Sequence, residues 1–221
     1  RYANKYSQSV AFLVTEYWLE AGDVRYYHNM TEGTAFLVDT DGYMLTGRHV
    51  ICPWLEDTTL FATAEYIKLS QLTPHFGYRI FLWFDGTKAF NRVASMMQSP
   101  ELTDVYFTDA AYSTEDPPRL TIAGVAKSPS QTRQLLSSPL KDDLAVIKVD
   151  SVPQGLKPLP LELEMDPQEI PKLSPIIALG FPLRRRTQED TVNVSVTSGN
   201  VRRTFENLIQ VDASVHGGNS G

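Results

Sequence analysis

The segment Gly217-Gly218-Asn219-Ser220-Gly221 crowds three glycines around one serine, directly after a short apolar run ending at Val211. Glycine permits backbone conformations that side chains forbid and lets another molecule approach closely. A serine on such a turn can expose its hydroxyl while neighbouring backbone N–H groups point the same way. An acyl-transfer nucleophile needs that arrangement, with the N–H groups as its oxyanion hole. The same residue types also build ordinary loops, so the turn acquires meaning only from partners elsewhere in the chain.

A serine nucleophile needs a general base, usually histidine, and a carboxylate to fix the imidazole tautomer. The chain has four histidines, His28, His49, His75 and His216. His28 and His75 sit in polar or aromatic segments and read as surface or packing residues. His216 is too close to Ser220 along the same turn to serve as its base. His49 ends a strand, in Leu45-Thr46-Gly47-Arg48-His49-Val50. Among the 26 carboxylates, Asp143 stands at a loop-to-strand junction in Asp142-Asp143-Leu144-Ala145-Val146-Ile147-Lys148-Val149, with Asp142 the alternative if the register differs by one.

These residues need rigid elements to hold them. Val10–Glu16 and Gly33–Val38 are rich in residues that suit a pleated surface. Asp41-Gly42 turns the second of these into Tyr43–Thr46, a hairpin signal that places His49 at the end of a hairpin strand. Ala21–Glu32 is polar and mixed and reads as a loop or irregular hairpin. Trp54–Leu69 carries apolar residues at helical spacing. Arg79–Phe84 and Thr87–Val93 flank an Asp85-Gly86 turn, and Pro100–Pro118 reads as a surface insertion. Further strands are expected at Leu120–Val125, Leu144–Val149, Pro175–Leu179, Thr191–Thr197, Asn200–Thr204 and Leu208–Val211. A proline-rich connector between Asp150 and Pro175 suggests two compact units in series. Many short strands with glycine turns predict an all-β protein of barrels or sandwiches.

Composition bounds the function. Hydrophobic content of 42% with 21% charged residues is that of a soluble globular chain. A net charge of −6 gives no support to nucleic-acid or anionic-membrane binding. The longest apolar runs are too short to span a bilayer. Cys52, the single cysteine, excludes an internal disulfide framework and reads as a small buried apolar group. No signal peptide is visible ahead of the first strand.

Taken in order, the Gly33–Val38 and Leu45–Val50 segments, the Asp142–Val149 motif and Gly218-Asn219-Ser220-Gly221 resemble the chymotrypsin-fold serine peptidases, most closely the HtrA (Deg) branch. Ile177-Ala178-Leu179-Gly180-Phe181-Pro182 and Val196–Val201 fit the same branch. The resemblance covers roughly 9–52, 78–94 and 120–221. It implies two six-stranded-type antiparallel β-barrels, with a helical insertion in the first and the second incomplete at its C-terminal side. Residues 1–150 would form the first barrel with insertions near 54–76 and 100–118, 151–174 the linker, and 175–221 the second barrel. The resemblance makes His49 the general base, Asp143 its orienting acid and Ser220 the nucleophile. The N–H groups of Gly218 and Ser220 would form the oxyanion hole. Ser214, six residues before Ser220, would touch substrate and does not favour cleavage after Lys or Arg.

No metal or organic cofactor is implied. Protein or peptide substrates are expected, with a regulatory partner or homo-oligomer as further possibilities. An extracytoplasmic location follows from the family, with a cytoplasmic one left open. Two features depart from the pattern: Gly47-Arg48 occupies positions where small residues or Asn are usual, and Leu183-Arg184-Arg185-Arg186 lies where the branch carries regulatory loops. A catalytically silent binding module of the same fold, or a protease active only after partner binding or assembly, fits the same sequence.

Overall fold

The structure is a computed structural model that describes residues 3–86, 120–125 (as backbone), 143–149, 152–162, 165–182, 192–205 and 208–214. The segments expected at Thr87–Val93 and Pro100–Pro118 lie outside the described residues, as do Leu183–Arg186 and His216. A short helix α1 (Ala3–Tyr6) leads into β1 (Val10–Ala21). Then follow β2 (Val24–Leu37), β3 (Tyr43–Thr46), the one-turn α2 (Arg48–Ile51), α3 (Thr58–Leu69) and β4 (His75–Phe84). The remaining strands are β5 (Leu120–Val125), β6 (Ala145–Val149), β7 (Pro175–Gly180), β8 (Ser195–Phe205) and β9 (Leu208–Val211). The chain is mostly β, and its described strands form two antiparallel sheets ordered β4-β1-β2-β3-β6-β5 and β7-β8-β9.

Strand alternation divides β1 between two cores. Ala11 and Leu13 join Ala35, Leu37, Met44, Leu82, Phe84, Ala145, Ile147 and the α2 residues Val50 and Ile51 in one buried cluster. In a flat sheet β4 and β6, four strands apart, would be separated by about 19 Å. Their side chains share a core because the sheet curls, as a chymotrypsin-type barrel requires. Val10, Phe12 and Val14 point the other way. They pack with Phe81 and Trp83 against Phe181 and Val192 at the ends of the second sheet's first strands. Phe12 meets Phe181 edge-on at 5.4 Å between ring centroids, a favoured aromatic geometry. Backbone bonds reinforce the junction: Phe181 N–H donates to Thr34 Oγ1 (3.3 Å) and Val194 N–H to Asp85 Oδ1 (2.8 Å).

Of the two readings of Ala21–Glu32, loop or irregular hairpin, the hairpin is observed: β1 and β2 pair from Val10↔Phe36 to Ala21↔Val24, with a register shift between Leu19 and Glu20 and a turn at Gly22 with φ +60°. The polar composition of the outer half of β2 matches its burial: Val24–Asn29 is exposed or half-buried on both faces. Thr191–Thr197 and Asn200–Thr204 are not separate strands. Ser195–Thr197 and Asn200–Thr204 lie in one strand, β8, whose first half pairs with β7 and second half with β9. Gly199 sits at the crossover, where a Cβ would come within 2.6 Å of Ala213 N and 2.7 Å of Asp212 Oδ1.

The helix expected over Trp54–Leu69 is present as α3, shorter at its start. Asp57 caps it, accepting from Thr59 N–H (3.0 Å) and Leu60 N–H (3.1 Å). Leu60 and Ile67, seven positions apart, bury one helical face against Tyr17, Leu19 and Ala21 of β1. The described parts of the connector between β6 and β7 are docked. Leu159 N–H donates to Leu37 O (2.8 Å), and Ser9 Oγ to Lys157 O (2.6 Å).

Candidate active site

His49 owes its position to a change of backbone state. Strand β3 ends at Thr46, whose hydroxyl donates to Thr34 O (2.8 Å). Gly47 remains extended at φ −73°, ψ 138°, and the chain then turns into α2. Val50 and Ile51 fill the barrel core, while Thr31 Oγ1 donates to Val50 O (3.0 Å). With one face of this turn buried, the His49 side chain is left at the rim, 44% exposed. Gly47 has a steric role: a Cβ there would lie 3.0 Å from His49 Cε1 and 3.1 Å from Nδ1. The sequence placed His49 at a strand end; the structure puts it within the one-turn α2 that follows the strand.

Asp143 reaches the histidine through the β3–β6 ladder. The register pairs Thr46 with Ala145, so the residue two before Ala145 lies beside the chain just past Thr46. Asp143 Oδ1 accepts the His49 backbone N–H at 3.0 Å, and Oδ2 bonds the imidazole Nδ1. Burial tends to raise the Asp143 pKa. The bonds from the His49 ring and backbone, with the charges of His49 and Arg48, outweigh it and hold the carboxyl below its ordinary value. An ionised Asp143 fixes the proton on Nδ1, leaving the Nε2 lone pair free to accept one.

A second cation adjoins the pair. Arg48 is 8% exposed; its Nη2 donates to Glu56 Oε1 at 3.0 Å, and its Nε lies 3.9 Å from Asp143 Oδ1. Sequence reasoning noticed Arg48 only as a departure from small residues and missed Glu56, which is eight positions away and carries no pattern of its own. Cys52, just after α2, is buried among apolar groups. Burial, opposed only by the Arg48 charge, pushes its thiol up to about 12, which removes it as a nucleophile.

Of the other expected site residues, Ser214 is described and exposed, just beyond the Asp212 anchor, where Asn200 N–H donates to Asp212 Oδ1 (2.6 Å). Asp142, Gly218 and Ser220 lie outside the described residues. His28 is engaged elsewhere, its Nε2 2.6 Å from Glu16 Oε1, in a cluster that Arg79 completes. His75 begins β4 and is exposed. The structure therefore brings together His49, Asp143, Arg48 and Glu56, and places no other described histidine near this carboxylate.

A family model described as "Trypsin-like peptidase domain" matches residues 33–221. No curated protein matches the chain. Among solved structures, the crystal structure of the serine endoprotease from Yersinia pestis is similar to it, with a TM-score of 0.47 and 17% identity. That alignment covers 99% of this chain and 50% of the Yersinia chain, so the present chain spans about half of that protein's length.

Proposed function

Because this chain belongs to the trypsin-like peptidase domain family, we propose that it is a serine endopeptidase acting on protein substrates. The observation that carries the proposal is the double engagement of Asp143 with His49, through the backbone N–H and through Nδ1. A surface ion pair needs only one such contact. Two contacts from one carboxylate fix the position, tautomer and orientation of the imidazole, which a general base requires.

In this reading Ser220 Oγ attacks the scissile carbonyl while His49 Nε2 takes its proton. The carbonyl electrons move onto oxygen, which the N–H groups of Gly218 and Ser220 stabilise. The tetrahedral species collapses as His49 protonates the departing amine, leaving an acyl-Ser220 ester. Water repeats the sequence and releases the acid. Asp143 stays ionised and balances the imidazolium. One oxyanion-hole donor supplies about 3 kcal/mol of transition-state stabilisation. Ser214, in place of an acidic residue, suits small or medium apolar P1 side chains better than Lys or Arg.

A fluorophosphonate probe tests the reading. Labelling of the native chain that disappears in Ser220→Ala supports it. Absence of labelling, alone and with candidate substrates or assembly partners present, would favour a silent module of the same fold.

A further inference from the structure

We infer that Arg48, held by Glu56, is a positioning residue for the His49–Asp143 pair and sets the pH range over which that pair works. The inference rests on the peptidase reading above. Arg48 directly precedes the histidine, at a position where the family resemblance leads one to expect a small residue or Asn. Removing a guanidinium from water costs several kcal/mol unless charged and hydrogen-bonded partners compensate. At 8% exposure Arg48 donates from Nη2 to Glu56 Oε1 at 3.0 Å, and its Nε lies 3.9 Å from Asp143 Oδ1, an ion-pair contact rather than a hydrogen bond. The Asp143 oxygen it approaches is the one that accepts the His49 backbone N–H. Asp143 is therefore held by the histidine through both oxygens, and the Arg48 charge stands beside the oxygen that takes the backbone N–H.

The charges act in a definite sense. A cation at Arg48 stabilises the Asp143 anion and opposes a second positive charge on His49. Glu56, 53% exposed in its side chain, neutralises part of that field from outside. Other charged groups on packed elements are occupied or turned away. On β1, Glu16 bonds His28 and Arg79, and Glu20 pairs with Arg25 of β2 at 4.0 Å. Glu32 of β2 follows Thr31, whose hydroxyl reaches α2, so strand alternation sends the Glu32 side chain to the opposite face. Strand β3 carries no charged residue, and Lys148 of β6 lies over the Tyr43 ring. Among the described residues, Asp143, Arg48 and Glu56 form the chain of charge contacts that ends at His49.

Removing the cation lets His49 keep its proton to higher pH; removing Glu56 leaves the cation less neutralised and does the reverse. In Arg48→Met the acid limb of the kcat/KM–pH profile should move up by on the order of half to one pH unit, which is roughly a three- to tenfold loss of rate well below that limb. In Glu56→Gln the limb should move down by a smaller amount, and Arg48→Lys should recover most of the native position. A purely structural ion pair would lower activity equally at all pH values, and limbs that stay in place or move in the same direction in both charge-removing variants would overturn the inference. If Arg48→Met fails to fold, Glu56→Gln decides alone, since a limb unmoved or moved upward there refutes the proposed field. Following the His49 ring by NMR against pH in a Ser220→Ala background reads the same displacements without catalysis. Failure of the peptidase reading would show as absent fluorophosphonate labelling of the native chain; failure of this inference would show as an unmoved His49 titration.

Discussion

The Asp143 carboxylate holds His49 twice, across 94 positions of sequence, once at the backbone N–H and once at the imidazole Nδ1. One oxygen thus positions the residue and the other orients its ring. Asp143→Asn should keep the fold and the contact to the backbone but reverse the preferred tautomer, because the amide offers an N–H where the carboxylate accepts. Turnover of a peptide substrate should fall by roughly 10⁴-fold, with the thermal midpoint close to native. A variant retaining more than a tenth of the activity would exclude Asp143 as the orienting acid.

The ladder that delivers Asp143 depends on one glycine. Gly42 has φ +92°, and a Cβ there would collide with the Val149 carbonyl oxygen. The Val149 N–H also donates to Gly42 O at 3.0 Å, so two backbones cross closely at this point. Gly42→Ala should cost about 1–3 kcal/mol from backbone conformation alone, with more from the displaced β6. Chemical denaturation measures the loss. Because β3 leads into His49 and Asp143 leads into β6, fluorophosphonate labelling should slow in the same variant.

Asp57 supports α3 and the outer end of the β1–β2 hairpin together. Besides capping the helix, its Oδ2 accepts from Tyr17 Oη (2.6 Å) and Tyr27 Oη (2.5 Å). Burial tends to raise its pKa, but those hydroxyls, the Leu60 N–H and Asn29 outweigh burial and leave it lowered. A depressed folded-state pKa means that the stabilisation is complete above the unfolded value of about 3.9 and is lost as pH falls through the folded value. Asp57→Ala should destabilise by at least ~1 kcal/mol near neutrality through loss of the cap. The gap in thermal midpoint between native and variant should narrow below pH 4. A gap constant from pH 7 to pH 3 would show that the charge contributes nothing.

The two sheets meet through Phe181, fully buried against Phe12 and grouped with Trp83. Phe181→Ala removes most of the side chain that the second sheet inserts, at a cost of about 3–5 kcal/mol. Calorimetry should show a lower transition temperature. If the first sheet's core is undisturbed, the unfolding of the two sheets should also become less coincident, broadening the transition.

Much of this protein was legible from local signals. Val10–Glu16 and Leu144–Val149 mark strands because runs rich in β-branched, aromatic and apolar residues suit a buried pleated surface. Asp41-Gly42 marks the turn because few other residues accept its dihedrals. Those elements place His49 and Asp143 at strand ends, where backbone is rigid, and the family model covers the same span. In Ala21–Glu32 loop and irregular hairpin could not be separated from sequence, because a strand end solvated on both faces has the composition of a loop. The strand expected to end at Thr197 instead runs on through Gly199, whose missing side chain admits the close approach of Asp212 and Ala213.

By itself, then, the chain specified its strands, its tight turns and the residue types able to do acyl-transfer chemistry, because each depends on neighbours a few positions away. Only the tertiary structure decided which carboxylate meets His49 and which face of β1 joins the second sheet. It also decided that Arg48 is buried between Glu56 and Asp143 rather than solvated. These outcomes depend on strand register and sheet curl, which sum weak preferences over many residues. A long side chain such as Arg48 carries no trace in sequence of whether water or a carboxylate surrounds it.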